Sequence, residues 1–243
     1  MKYKKLVTIT IATMILLAGC GTKETTTTTT LTPTSTATTQ VTNSPEPTST
    51  VLPIFDVSEK SAMTSESVGG DLPNQTYYLD EKGLYIVDEN GELIQEFPMD
   101  LSFDFTQVKQ TFSLVDANFD GYKDISVLFS QGNVNAFYRL FLYDSGKNEF
   151  VEYEPYREIS SPRIDATNKQ IDSWMRASAT DYAYSEMHWV EGNLLCYYQA
   201  EMNYDTNEVV YHEYDNAGSV ITEVKKTYTE NEMANLDVTK KEY

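Results

Sequence analysis

Four segments built alike constrain this chain more than any other feature: "VDENGELI", "YDSGKNEFV", "YDTNEVV" and "YDNAGSVI". Each leaves an apolar run through an Asp, turns on Asn or Gly, and re-enters an apolar run. Asp and Asn side chains bond to nearby backbone and tolerate left-handed dihedrals, so each segment predicts a hairpin turn. The runs between them are short and rich in β-branched and aromatic residues, as in "GLYIVD", "ISVLFS", "LLCYYQAEMNY" and "EVVYHEY", and they read as strands. In "FYRLFLYD", Phe137, Arg139, Phe141 and Tyr143 share one face and Tyr138, Leu140 and Leu142 the other, so both faces are apolar and a central strand is expected. Residues 169–184 fit helical spacing through Ile171, Trp174, Met175 and Ala179. They fit a strand through Trp174, Arg176 and Ser178, and their hairpin neighbours favour the strand. The expected fold is all-β: an antiparallel β-sandwich or a small propeller-like meander.

The N-terminal region follows a different logic. Lys2, Lys4 and Lys5 precede an apolar stretch from Leu6 to about Leu17, which is too short for an ordinary membrane span and reads as an export leader. It closes on "LLAGC", which resembles the lipobox of bacterial lipoproteins; the alternative is a plain secretory leader. The resemblance implies cleavage after residue 19, lipid modification of Cys20, and anchoring at the outer face of the cell membrane. Residues 20–67 are dominated by Thr, Ser and Pro and lack the apolar content to offset ordering entropy, so they are expected to form a disordered tether. At about 3.1 Å per residue such a segment reaches on the order of 100 Å. An all-β domain is expected over 68–230, and 231–243 reads as a polar tail in which Met233 and Leu236 are the residues able to dock.

Charge narrows the partners. The formal net charge is −19, and removing the leader takes away three lysines and no acid, leaving −22. Phosphate backbones are poor partners for such a chain, so nucleic acid is not expected, whereas cationic proteins and divalent cations suit it. After acylation of Cys20 only Cys196 remains, so no internal disulfide is expected, and Cys196 reads as a small apolar residue. His188 and His212, the two histidines, have no partner at metal-ligand spacing. No G-x-S-x-G, P-loop or H-E-x-x-H motif is present. The chain reads as a monomeric binding protein, not an enzyme.

One stretch stands apart. "LVDANFDGYKDISVLF" places Asp116, Asn118, Asp120 and Asp124 within nine residues, around Gly121. Calcium takes six to eight oxygens, and a tight loop supplies them from alternate positions with Gly at the sharp turn. Asp116, Asn118 and Asp120 hold loop positions 1, 3 and 5, Gly121 position 6, and Tyr122 offers a backbone carbonyl at position 7. An EF-hand needs Glu at position 12, where this chain has Val127, so Asp124 at position 9 is the closing carboxylate. A solvated turn and a catalytic carboxylate cluster are the competing readings. Asp165, Asn168 and Asp172 form a second oxygen group without a turn Gly.

The pattern D-x-N-x-D-G-x-x-D, followed by an apolar strand, resembles the calcium loops of the FG-GAP/VCBS repeat class. Together with the Tyr-rich hairpin after it and the later "NKQI", it is similar to single-domain secreted or lipid-anchored bacterial members of that class, over about residues 105–200. The resemblance implies Ca²⁺ held by Asp116, Asn118, Asp120, Tyr122 and Asp124. For some members it also implies inhibition of lysozyme-like cell-wall hydrolases as immunity proteins. An adhesive or carbohydrate-binding surface module is the alternative, and a glycosidase a third.

Overall fold

The computed structural model describes residues 55–56, 60, 62–99, 110–241 and 243. The expected leader, the expected acylation site Cys20 and residues 20–54, 57–59 and 61 of the expected tether lie outside them. Among the described residues the fold is all-β, as its turn chemistry predicts. The strands form three antiparallel sheets, each following chain order. The first contains β1 (Ala62–Glu66), β2 (Gln75–Leu79), β3 (Gly83–Val87) and β4 (Leu93–Pro98). The second contains β5 (Ser113–Val115), β6 (Asp124–Gln131), β7 (Ala136–Asp144) and β8 (Glu149–Glu152). The third contains β9 (Arg163–Asp165), β10 (Gln170–Arg176), β11 (Asp181–Val190), β12 (Asn193–Asn203), β13 (Glu208–Tyr214) and β14 (Val220–Thr227). Residues 170–176 are strand, so the hairpin context decides the ambiguous segment.

Side-chain bonding to local backbone drives the turns. Asp88 Oδ1 accepts from the amides of Asn90 (2.9 Å) and Glu92 (2.8 Å). Asp215 Oδ1 does the same for Ala217 (2.9 Å) and Ser219 (2.8 Å), with Gly218 in the left-handed region. The β12–β13 turn departs from the expected Asp: Asn203 accepts from Asp205 and Thr206, and Asn207 takes the positive φ.

The second sheet is the middle layer. Phe141 and Tyr143 of β7 pack with Tyr77, Leu84 and Ile86 of the first sheet, while Leu140 and Leu142 pack toward Ile171, Met187 and Trp189 of the third. Side-chain amides close both joints by mimicking backbone. Gln95 of β4 exchanges two hydrogen bonds with Phe150 of β8 (2.7 and 3.1 Å). Asn135, before β7, does so with Arg176 of β10 (2.9 and 3.0 Å). Arg139 is buried in the middle sheet and donates to Glu152 and to the Pro98 carbonyl at the end of β4.

Two segments exceed their sequence reading. Strand β1 falls inside the stretch whose composition assigned it to the tether. Met63 packs on the first core, Phe55 lies on Tyr85 with ring centroids 4.7 Å apart, and Lys60 pairs with Asp80. The polar tail is also ordered. Helix α1 (Glu230–Ala234) starts at a capping box of Thr229 and Glu232. Met233 and Val238 are buried against Tyr184, Tyr198 and Tyr211 of the third sheet. Tyr243 stacks on Tyr211 at 4.7 Å. A few well-spaced apolar residues anchor a segment whose average composition is hydrophilic.

Candidate metal centre

Residues 116–124 join β5 to β6, and Val115 pairs with Asp124, so the turn opens and closes on neighbouring strands. Inside it the polar side chains bind backbone. Asp116 accepts from the amides of Asp120 (3.1 Å) and Gly121 (3.0 Å). Asn118 Oδ1 accepts from the Asp120 amide (3.1 Å), its Nδ2 donates to Asp120 Oδ2 (2.9 Å), and Asp120 Oδ1 accepts from the Tyr122 amide (2.9 Å). Gly121 has φ +96° and Phe119 φ +63°. The left-handed region costs a non-glycine residue about 1–2 kcal/mol, which the ladder of bonds around Phe119 must offset.

Asp124 differs from the others because it is fully buried. One carboxylate oxygen accepts from the Ala117 amide (2.8 Å) and the other from the Tyr143 amide of β7 (2.9 Å); the Asn118 amide also donates to it. Burial pushes its pKa up to about 7, against the pull of these N–H groups, and the Asp120 charge adds to the rise. Among the described residues no ion pair involves Asp116, Asp120 or Asp124. The nearby cation, Lys123, turns away to pair with Glu66.

The loop touches all three sheets. The Lys123 amide donates to the Val68 carbonyl (2.6 Å), just past β1, and the Tyr122 ring lies 5.6 Å from that of Tyr143. The Trp189 indole N–H of β11 donates to the Ala117 carbonyl (2.8 Å). A Cβ added at Gly69 would stand 3.0 Å from the Gly121 carbonyl oxygen, and Gly69 has φ +143°, so a side chain there would be crowded and its backbone strained.

No group of three His, Cys, Asp or Glu side chains among the described residues closes on a common centre able to hold a metal. The donor set from Asp116, Asn118, Asp120, the Tyr122 carbonyl and Asp124 is nevertheless all oxygen, the chemistry calcium selects over softer metals. Each carboxylate oxygen carries more than one acceptor site, so a bond to backbone does not exhaust it.

The other polar groups are occupied differently. Asp165 accepts from the amides of Thr167 and Asn168, an ordinary Asx turn. Asp172 is buried between Arg163 (2.5 Å) and the Tyr184 hydroxyl (2.9 Å), so it does not join Asp165 and Asn168 in an oxygen site. His188 Nε2 bonds Glu186 (2.8 Å). The Cys196 thiol is pushed up to about 11 by burial, which leaves it protonated and non-nucleophilic at neutral pH. Sequence reasoning missed Trp189, Val68 and the Tyr143 amide as neighbours of the loop. Trp189 comes from the third sheet, Val68 from just past β1 of the first, and Tyr143 from β7 beside β6, so each is distant in sequence and no local pattern marks them.

No family model matches the chain, and no curated protein sequence matches it. Among solved structures, one described as a Xanthomonas type IV secretion system related protein is similar at 13% identity and a TM-score of 0.47, over 68% of this chain and 87% of that one.

Proposed function

We propose that the chain is a lipid-anchored cell-surface protein whose β domain is stapled by Ca²⁺ and binds a cationic protein partner, as an inhibitor or immunity protein against a lysozyme-like cell-wall hydrolase. Asp124 carries the calcium part of this reading: a fully buried carboxylate, short of counter-charge, at the close of a D-x-N-x-D-G-x-x-D loop. Burying an unpaired carboxylate is costly, and a divalent cation relieves that cost together with the repulsion from Asp120. Asp116, Asn118, Asp120, Asp124 and the Tyr122 carbonyl would hold the ion. The cationic partner follows from the charge of −19, since opposite charge steers encounter and raises association rates.

Calorimetry on the chain from residue 20 onward with Cys20→Ala, after chelation, tests the metal. A ligand bound only to the folded state stabilises it by about 2.7 kcal/mol at a hundredfold excess over Kd. For a domain of this size each kcal/mol raises Tm by about 2–4 °C. Ca²⁺ is expected to raise Tm by several degrees, Mg²⁺ by less, and Asp120→Ala to abolish the rise. A muramidase assay with the same protein tests inhibition. An unchanged Tm at millimolar Ca²⁺ removes the metal, and unchanged hydrolysis removes the inhibitor.

A further inference from the structure

The third sheet has two unlike faces. Register places Trp174, Tyr184, Ala200, Tyr211 and Val224 in one row on one face. α1 and the residues after it cover that face. On the opposite face Met175, Ala183, Glu201, Val210 and Lys225 form one row, flanked by rows ending in Glu223 and containing Asp181 and Glu208. The middle sheet covers only part of this second face, through Ile171, Met187, Trp189 and Leu194. At its other end, along the row from Met175 of β10 to Lys225 of β14, the face stays open. Met175 is 43% exposed, Glu201 is exposed, and the Glu223 side chain is 66% exposed.

We propose that this open face is the docking surface for a basic polypeptide segment. The proposal rests on the cationic-partner reading above and gives it a place on the molecule. A hollow of about 400 Å³ here has Met175, Ala183 and Val210 on its floor and Asp181, Glu201 and Glu208 around them. Lys and Arg combine an aliphatic stem with a cationic head, so the stem fits the floor and the head fits the rim. The facing set holds four carboxylates, Asp181, Glu201, Glu208 and Glu223, against one ammonium, Lys225, which already pairs with Glu208 at 2.9 Å. Glu201 has no ion pair among the described residues. A second copy of this chain would bring the same sign of charge to the face and be repelled.

Decalysine is the probe, titrated calorimetrically at about 0.1 M salt, where the Debye length of about 10 Å screens distant charge. The protein is the chain from residue 20 onward with Cys20→Ala. Glu201→Lys/Glu223→Lys reverses charge on the face. Glu89→Lys/Glu92→Lys makes the same change of net charge in the exposed β3–β4 turn. The face variant is expected to bind at least about tenfold more weakly and the turn variant less than about threefold, since close pairs dominate over screened ones. Glu201→Gln/Glu223→Gln gives the same test with a milder change, and an unaltered melting temperature certifies each variant as folded. Equal weakening by the face and turn variants, or none by either, overturns the assigned face and leaves the cationic-partner reading standing. Absence of decalysine binding to the unmutated face overturns both.

Discussion

Trp189 donates its indole N–H to the carbonyl of Ala117 across 2.8 Å, although 72 residues separate them in the chain. The bond ties the second residue of the candidate metal loop to the end of β11. Through Asp124 and the Tyr143 amide the same loop holds β7, and through Lys123 and Val68 it holds the end of β1. Whatever stabilises this loop therefore stabilises three sheets together.

Trp189→Phe keeps most of the ring contact with Tyr153, whose centroid lies 4.8 Å away, and removes the donor. The Ala117 carbonyl is left without it, at a cost of about 1–3 kcal/mol if no water replaces it. Chemical denaturation is expected to show a lower midpoint with an unchanged slope. An unaltered midpoint means the bond contributes nothing to the joint.

Asp124→Ala removes the acceptor for the Ala117, Asn118 and Tyr143 amides at a buried position. Each unsatisfied buried donor costs on the order of 1–3 kcal/mol, so the loss is several kcal/mol. Asp120→Ala, at an exposed position, is expected to cost much less in chelator. Equal Tm values for the two variants without Ca²⁺ would contradict this ranking.

Glu152 sets an acid limit. Its partial burial favours the neutral form, yet hydrogen bonds and charge from Arg139 and Arg157 outweigh it and hold its pKa below the ordinary 4.5. A carboxyl with a depressed folded pKa binds its proton more readily when unfolded. Its contribution is present in full above the unfolded value and is lost as pH falls through the lower folded value. Denaturant midpoints taken downward from pH 6 are expected to fall below about pH 4.5, and Glu152→Gln to flatten that fall while lowering the plateau. A Glu152→Gln profile parallel to the parent's would assign the acid limit to other groups.

Removing residues 230–243 uncovers Tyr184, Tyr198 and Tyr211 and deletes the buried Met233 and Val238. Full burial of one such apolar side chain is worth about 1.5–3 kcal/mol, so the truncated chain is expected to melt lower and to bind a hydrophobic dye. The point change Met233→Ala is expected to cost about 2–5 kcal/mol. A truncated chain with parental Tm would mean that the segment contributes nothing to the third sheet's stability.

Local chemistry alone determined most of the strands and their turns, though not β1, which the polar composition around it hid. An Asp or Asn bonds its own backbone within four residues, as Asp88 and Asp215 do, so a hairpin is written in the residues that make it. Alternation in β7 likewise determined that both its faces are covered, because a period of two assigns Phe141 and Leu140 to opposite sides wherever the strand lies. The candidate loop was legible for the same reason: Asp116, Asn118, Gly121 and Asp124 are neighbours in sequence. Which sheet lies against which was decided only in three dimensions, since apolar burial is non-directional and any apolar face could cover any other. Sequence spacing marked Asp124 as a closing carboxylate but not its complete burial or its bond to the Tyr143 amide of β7, 19 residues further along the chain. The docking of 231–243 was hidden too: polar composition describes the average residue, whereas Met233, Val238 and Tyr243 anchor the segment by where they land.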